Sequence, residues 1–204
     1  MKMSTENRSV ENLTIIPYND IVLIEANLKL MEVNNLIIRR ERLEDYDEVY
    51  HVIKEAFKRA EHSDGNEQNL VAELRKSMSF IPELSLVAVE DDKIVGHILF
   101  TKAYVQDVEV LALAPLSVLP DYQNKGLGLS LIGAGHDIAR KLGYEYSVVL
   151  GHPKYYPKAG YIPASKYGIK APFEVEDENF MALNLNGSQR KLNGIMEYDR
   201  AFGI

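Results

Sequence analysis

Residues 108–130 read VEVLALAPLSVLPDYQNKGLGLS, and this stretch determines how the rest of the chain is interpreted. An apolar run is interrupted at Pro115 and again at Pro120, as expected for a strand that is disturbed near its end. Gly126 and Gly128 then open a segment in which apolar residues recur at helical spacing. A glycine turn between a strand and a helix predicts an anion site, because the first N–H groups of a helix have no intrahelical partner and lie at the positive end of its dipole.

The composition is that of an ordinary globular protein with one domain and a sizeable core: the chain has 204 residues, of which 46% are apolar and 26% charged. The formal charge of −7 argues against nucleic acid as a partner, because sequence-independent binding needs a basic surface. The absence of cysteine excludes disulfides, thiolate metal sites and cysteine nucleophiles, and it favours a cytoplasmic location. No apolar run approaches the ~18–20 residues of a membrane helix, so no membrane partner is expected.

Two parts of the chain differ in how strongly their patterns predict structure. Residues 1–34 contain short apolar clusters and are interpreted as an N-terminal extension, either a folded element or an appended segment. From residue 35 to residue 204 the order is regular: strand, two helices, a hairpin with a charged turn, strand, glycine turn, helix, strand, a short helical turn and a last strand. Gly133 and Gly135 inside the helix are attributed to close packing on the sheet.

Two motifs in this order resemble the GNAT superfamily of N-acetyltransferases. Gln123–Gly128 (QNKGLG) is similar to that superfamily's (Gln/Arg)-x-x-Gly-x-(Gly/Ala) pyrophosphate loop, and Tyr155–Tyr161 (YYPKAGY) to the aromatic segment after its fifth strand. The stretches LALAPLSVLPDYQNKGLG, VVLGHPKYYPKAGY and NGIMEYDRAF resemble a bacterial branch described as predicted acetyltransferases. The resemblance implies a three-layer α/β fold, with a mixed, mainly antiparallel central sheet whose fourth and fifth strands splay apart between flanking helices.

The resemblance also implies acetyl-CoA as co-substrate, with its pyrophosphate bound by backbone N–H groups of the glycine turn. Its pantetheine arm would pair, like an added strand, with the groups left unpaired where the strands part near Leu116. The expected cofactor-binding residues are Leu116, Ser117, Val118, Gln123, Asn124, Lys125, Gly126, Leu127, Gly128, Leu129 and Ser130. The alternative is an ordinary strand–turn–helix whose glycines are structural.

Acetyl transfer to an amine requires two proton transfers. An alkyl amine has a pKa near that of lysine, ~10.4, so it is mostly protonated at neutral pH. The departing thiolate leaves more easily when it is protonated, and a tyrosine hydroxyl can supply that proton. Tyr156 matches the superfamily's general acid, whereas Tyr155 is expected to pack.

The general base is less clear, because the positions of the fourth strand close to the glycine turn are apolar. Glu109 is the nearest strand carboxylate and the tentative base, although a solvent-facing position at the strand end explains it as well. His97 and His152 are alternatives without an assigned role. No metal site is expected, because His51, His62 and His136 lack ligand partners at recognisable spacing.

The sequence therefore favours an N-acetyltransferase that moves an acetyl group from acetyl-CoA to a primary amine by direct attack in a ternary complex. A non-catalytic acyl-CoA-binding sensor or regulatory module is the alternative, because the usual strand carboxylate is missing. A nucleotide-phosphate enzyme is disfavoured, because the turn lacks a Gly-x4-Gly-Lys-(Ser/Thr) pattern. The acceptor is not encoded, although the loop at 61–68, the hairpin and the C-terminal tail are expected to line its pocket. A homodimer through the C-terminal strands stays an open alternative.

Overall fold

The computed structural model describes residues 36–58, 64–188 and 190–204, so the interpretation of residues 1–34 lies outside the described part of the chain. The strands in these ranges are β1 (Leu36–Arg40), β2 (Phe80–Glu90), β3 (Lys93–Val105), β4 (Val108–Val118), β5 (Tyr146–Leu150), β6 (Ile162–Pro163), β7 (Ile169–Lys170), β8 (Phe180–Asn184) and β9 (Gly194–Glu197). The α-helices are α1 (Tyr46–Phe57), α2 (Glu67–Leu74) and α3 (Leu127–Lys141). Short 3-10 turns cover Leu43–Asp45, Pro120–Tyr122, Tyr156–Ala159, Ala164–Tyr167 and Arg200–Phe202.

The strands form one central sheet in the order β1-β2-β3-β4-β5-β8-β6, with β9 on the end of β3 and β7 beside β9. Along the main path every neighbouring pair is antiparallel except β4 and β5, which are parallel. The predicted mixed, mainly antiparallel sheet is confirmed. The charged hairpin turn is also where it was expected, between β2 and β3, with Asp91 and Asp92 both at positive φ.

The two faces of the sheet bury different helices, because successive strand residues point to opposite sides. Ile98 and Phe100 of β3 pack in the cluster that contains α3, whereas Leu99 between them packs with α1 and α2. Gly135 of α3 lies against the Phe100 ring, where a Cβ would overlap the ring, so close packing explains this glycine. Gly133 has no atom within 4 Å of the position of a Cβ, so close packing does not explain it.

The parallel pair β4–β5 is short and leaves most of β4 without a partner on that side. Pairing is confined to Leu111 with Ser147 and Ala112 with Val148, while β4 continues along β3 as far as Val118. The β3–β4 register shifts between Ile98 and Phe100, opposite Ala114-Pro115. Proline has no N–H to donate and occurs in sheets at such irregularities. The strands therefore part after Ala112, four residues earlier than the sequence indicated.

Candidate functional site

The gap between β4 and β5 opens into a cavity of about 1500 Å³. Small-molecule sites usually occupy ~300–1000 Å³, so this cavity has room for two molecules at once. One part, the β4 half, is lined chiefly by Leu116, Val118, Asn124, Gly126, Gly128, Tyr155 and Tyr156. The other part, the tail half, is lined chiefly by Phe57, Glu67, Leu70, Phe173, Tyr198 and Phe202.

The end of β4 presents alternate residues to the cavity. Leu116 and Val118 line it and pack on the α3 side, as expected for the cofactor-binding strand. Ser117 between them points to the opposite face, where its buried hydroxyl has no hydrogen-bond partner within the described residues. The side chain of Ser117 is therefore not part of the cavity, and only its backbone lies on the unpaired edge.

Gln123 ties the glycine turn to the end of β4. Its side-chain Nε2 donates to the Val118 carbonyl at 2.9 Å, and its backbone N–H donates to the Pro120 carbonyl at 3.2 Å. Both donors are thus engaged within the protein. Gln123 lines the cavity, and its two hydrogen bonds shape the turn; that it also binds the cofactor stays a prediction.

The turn itself is bent by two residues in the left-handed region, Asn124 with φ 59° and Gly126 with φ 87°. Gly126 has no atom within 4 Å of the position of a Cβ, so glycine is favoured here by the backbone angle and not by lack of space. Lys125 is exposed and outside the cavity lining, with its Nζ 5.5 Å from the centre of the Tyr122 ring.

Helix α3 begins at Leu127 and leaves its first amides free for a ligand. The N–H groups of Leu127, Gly128 and Leu129 precede the first intrahelical bond. Ser130 was predicted to offer its amide as well, but this N–H donates to the Gly126 carbonyl at 3.0 Å, and its hydroxyl reaches the same carbonyl at 3.3 Å. The amide of Ser130 is therefore committed to the helix, and its prediction as a phosphate donor is wrong.

Gly128 is the position where close approach requires glycine. A Cβ there would overlap the hydroxyl of Tyr155 and would lie 3.4 Å from Leu116 Cδ2. Tyr155 packs against the core, as the sequence indicated. In the structure its hydroxyl reaches across the gap to the start of α3, so Tyr155 joins the two sides of the β4 half.

Tyr156 is held at the cavity by three close neighbours. A Cβ on Gly151 would overlap the Tyr156 ring, so this glycine makes room for it. The ring also meets Tyr155 and Tyr161 edge-on, at centroid distances of 5.3 and 5.8 Å. Burial, with a smaller contribution from Tyr155, raises the pKa of Tyr156 above its usual value of 10.0, so the phenol keeps its proton at neutral pH.

Tyr161, whose ring packs against Tyr156, is itself held by a buried hydrogen-bond chain. The Tyr161 hydroxyl lies 2.7 Å from Ser147 Oγ and 2.9 Å from His136 Nε2. Burial lowers the pKa of His136 from 6.5 to about 4, and the charge of Arg140 acts in the same direction. His136 is therefore neutral at pH 7 and structural.

Glu109, the tentative base, is not at the cavity. Its carboxylate accepts a hydrogen bond from the Tyr104 hydroxyl at 3.0 Å and lies 3.5 Å from Lys102 Nζ. Glu109 is the second residue of β4. At ~3.3 Å per residue it lies about 23 Å along the strand from Leu116. This placement contradicts a role as base and agrees with the alternative of a strand-end surface residue.

His97 lies in a buried polar cluster on the α1–α2 face and outside the cavity lining. Its Nε2 is 3.2 Å from Ser85 Oγ, which donates at 2.6 Å to Glu41, and Glu41 pairs with Arg75. Burial lowers the pKa of His97 to about 3, so it is neutral. His152 is exposed and does line the cavity, where its Nδ1 accepts from the Lys154 N–H at 3.1 Å.

Sequence reasoning missed the individual residues of the tail half. Their one shared signal is weak: Glu67 and Leu70 are three apart on α2, so they share a face. The rings of Phe173, Tyr198 and Phe202 follow one another with centroid distances of 6.5 and 4.9 Å. The tail and Glu67 of the 61–68 loop thus line the cavity as expected, whereas no residue of the β2–β3 hairpin does; residues 61–63 lie outside the described part of the chain.

Within the described ranges, no group of three His, Asp or Glu side chains is arranged to hold a metal ion. In the same part of the chain no helix is both long and apolar enough to cross a membrane.

Known proteins share both the sequence pattern and the fold. Residues 44–161 match the acetyltransferase (GNAT) family model. The chain is 40% identical to YjhQ, an uncharacterized N-acetyltransferase of Escherichia coli K12, over 136 residues that cover 63% of this chain and 75% of YjhQ. It is 29% identical to another such protein of Escherichia coli K12, YhbS, over 140 residues that cover 67% of this chain and 83% of YhbS.

Two solved structures of such proteins contain the cofactor. Escherichia coli YhbS in complex with CoA superposes with a TM-score of 0.74 at 25% identity, over 85% of this chain and 94% of that one. A GNAT family acetyltransferase from Brucella melitensis in complex with acetyl-CoA superposes with a TM-score of 0.70 at 30% identity, over 83% of this chain and 99% of that one.

Proposed function

This chain belongs to the GNAT acetyltransferase family, and on that premise we propose that it transfers an acetyl group to a primary amine by direct attack in a ternary complex. It is an acetyl-CoA-dependent acyltransferase, with acetyl-CoA as co-substrate. The observation that carries the proposal is one cavity that joins the β4 half to the tail half, with Tyr156 in its wall. We assign the activity to residues 35–204 and treat residues 1–34 as an N-terminal extension.

The β4 half suits the cofactor, which supplies the acetyl thioester. The amides of Leu127, Gly128 and Leu129 would bind pyrophosphate oxygens, and charge-assisted bonds of this kind contribute about 1.5–3 kcal/mol each. The unpaired edge of β4 at Leu116 and Val118 would pair with the amides of the pantetheine arm. Gly128 supports this fit by allowing the Tyr155 hydroxyl to lie against the start of α3 beside Leu116, so that the wall of the β4 half closes around its amides.

Tyr156 would protonate the departing thiolate. Its raised pKa means that the phenol is protonated throughout the neutral range, which is the form that a general acid needs. Its ring is fixed by Gly151 and Tyr161, so the hydroxyl has a defined position in the wall of the cavity. The acceptor amine must be neutral before it attacks, and no carboxylate of β4 lies at the cavity to take its proton.

The experiment is a thiol-release assay with Tyr156→Phe. Because the chain has no cysteine, released CoA can be followed with a thiol reagent without background from the protein. With saturating acetyl-CoA and a panel of 2-phenylethylamine, ethanolamine and spermidine, the variant should lose ~100-fold or more in kcat. Its affinity for acetyl-CoA should change by less than about twofold, because only the transition state uses the acid.

Tyr104→Phe is the matched control, because Tyr104 is a hydroxyl-bonded tyrosine on β3 that does not line the cavity. It should retain full turnover. Equal rates in wild type and Tyr156→Phe would remove the acid role. Saturable acetyl-CoA binding without turnover of any amine in the panel would instead favour the sensor or regulatory module.

A further inference from the structure

We propose that the tail half of the cavity is the acceptor site for a small primary amine carried on an apolar, ring-sized body, and that Glu67 binds its ammonium group before the nitrogen loses a proton to water and attacks. This inference rests on the proposed function, because it names the class of acceptor for the same reaction. It rests on two observations: the apolar, largely aromatic wall of the tail half, and the carboxylate of Glu67 within that wall.

The wall of the tail half is apolar and largely aromatic. Phe57 at the end of α1 and Leu70 of α2 approach from one side. The contiguous rings of Phe173, Tyr198 and Phe202 approach from the other. Burying an apolar group of ring size against such a wall is favourable, because apolar surface is removed from water. A hydroxylated or multiply charged body would find few hydrogen-bond partners there.

Glu67 is the polar group set into this wall. Its Oε2 atom is buried and has no hydrogen-bond partner within the described residues. Glu67 precedes Leu70 by one turn on the same face of α2, and both line the cavity. A carboxylate in the first turn of a helix is commonly explained by the helix dipole, but that explanation leaves the buried oxygen without a partner. Glu67 as a whole is only half-buried and lines the cavity, so an ammonium group there could pair with its carboxylate.

The other charged residues of the lining do not provide the same site. Glu178 and Lys158 are both exposed, so water and salt screen them. The buried Glu41 carboxylate is paired with Arg75 and Ser85 outside the cavity. Glu67 is thus the carboxylate of the lining that combines a buried, unpaired oxygen with an aromatic surround, in which a cation is also attracted to ring faces.

The test compares two amines that share an ethylamine unit and differ in their bodies, 2-phenylethylamine and ethanolamine, with the full-length protein and saturating acetyl-CoA. The ratio of their kcat/KM values should favour 2-phenylethylamine by about tenfold or more. Glu67→Gln should raise KM for 2-phenylethylamine about tenfold while KM for acetyl-CoA stays unchanged, because one charge-assisted bond to the acceptor is lost.

Two further variants keep the test decisive. Glu73→Gln on the same helix is the matched control, because Glu73 pairs with Lys76 at 2.7 Å on the exposed face, and its kinetics should match wild type. Phe202→Ala should lower kcat/KM for 2-phenylethylamine much more than for ethanolamine. It tests the aromatic wall independently of Glu67.

The outcomes separate this inference from the proposed function. Turnover that favours ethanolamine or spermidine, or a Glu67→Gln variant with unchanged amine KM, overturns the inference and leaves acetyl transfer intact. Tight acetyl-CoA binding without turnover of any amine overturns acetyl transfer itself, and the inference falls with it.

Discussion

The two halves of the cavity are built in different ways. The β4 half is made from two short stretches of chain, Leu113–Leu129 and Leu150–Lys158. The binding groups that we propose for it are backbone amides at the start of α3 and along the edge of β4. The tail half is assembled from side chains of α1, α2 and the tail. Backbone groups are positioned by the turn and helix that contain them, whereas a side-chain pocket depends on how distant segments pack. One half is therefore encoded locally and the other is not.

The largest effect that would sharpen this comparison is expected at Gly128. Gly128→Ala places a methyl group at the start of α3, and we expect acetyl-CoA affinity to fall ~100-fold or more, as for the loss of two charge-assisted bonds. Calorimetric titration with CoA would measure this. Thiol release at very high acetyl-CoA should still show wild-type preference among amines, because the tail half is unchanged.

The control for Gly128→Ala removes the contact within the protein. In the double variant Gly128→Ala/Tyr155→Phe the overlapping hydroxyl is gone, and the remaining neighbours, Tyr155 Cζ and Leu116 Cδ2, lie at 3.4 Å. The double variant should fold normally and still bind CoA weakly. If it binds CoA as tightly as Tyr155→Phe alone, then Gly128 does not face the cofactor.

A second prediction concerns the scaffold under the β4 half. The pKa of His136 is about 4 in the folded protein, below its usual 6.5, so between these values the unfolded chain binds more protons. Stability from this group is therefore full above pH 6.5 and is lost as the pH falls towards 4. Between pH 7 and pH 5 the wild type should lose about 2 kcal/mol more of its unfolding free energy than His136→Gln, by urea titration.

The choice of His136→Gln keeps a hydrogen-bond partner for Tyr161 while removing the titrating ring. Equal losses in wild type and variant would mean that His136 titrates normally in the folded protein.

The smallest effect is expected at Glu109, which belongs to neither half. Glu109→Gln should leave kcat/KM for any accepted amine within about twofold of wild type, because the carboxylate lies at the far end of β4 and is engaged by Tyr104 and Lys102. A steady-state pH profile of kcat/KM is the measurement. A tenfold loss of kcat/KM in the part of the profile where kcat/KM rises with pH would show that Glu109 acts as the base after all.

The contrast between the halves also shows how much of the structure can be predicted from the sequence. The ends of the glycine turn, α3 and the tyrosine segment could be predicted, because each is marked by a glycine. These glycines are Gly126, Gly143 and Gly160, and all three have positive φ in the structure. The mixed, mainly antiparallel character of the sheet followed from the resemblance to a family. The parting of β4 from β5 was misplaced by four residues, because Pro115 marks an irregularity of the strand and not the last pair of its ladder.

Residue roles were predicted less well than elements. Three residues in or beside the motif do not contribute to the cavity as predicted. The amide of Ser130 is used in an intrahelical bond, and Lys125 is exposed outside the cavity lining. The side chain of Ser117 is turned to the opposite face by strand alternation. Tyr155 packs as predicted, but its contact with Gly128 was not predicted, because the two residues meet only across the gap. Glu67 and Phe202 lie in segments that were expected to line the pocket, but their individual roles were not predicted, because the two residues meet only when α2 and the tail pack together.

The brief ladder between β4 and β5 has a consequence for the energetics of the whole protein. Two residue pairs join β4 to β5 there, and we propose that the cofactor bridges the rest of the gap. A ligand that binds only the folded chain adds RT ln(1 + [L]/Kd) to its stability, which is about 2.7 kcal/mol at a hundredfold excess over Kd. The free energy of unfolding should therefore rise with the acetyl-CoA concentration, so the same molecule would be more stable when its co-substrate is plentiful than when it is scarce.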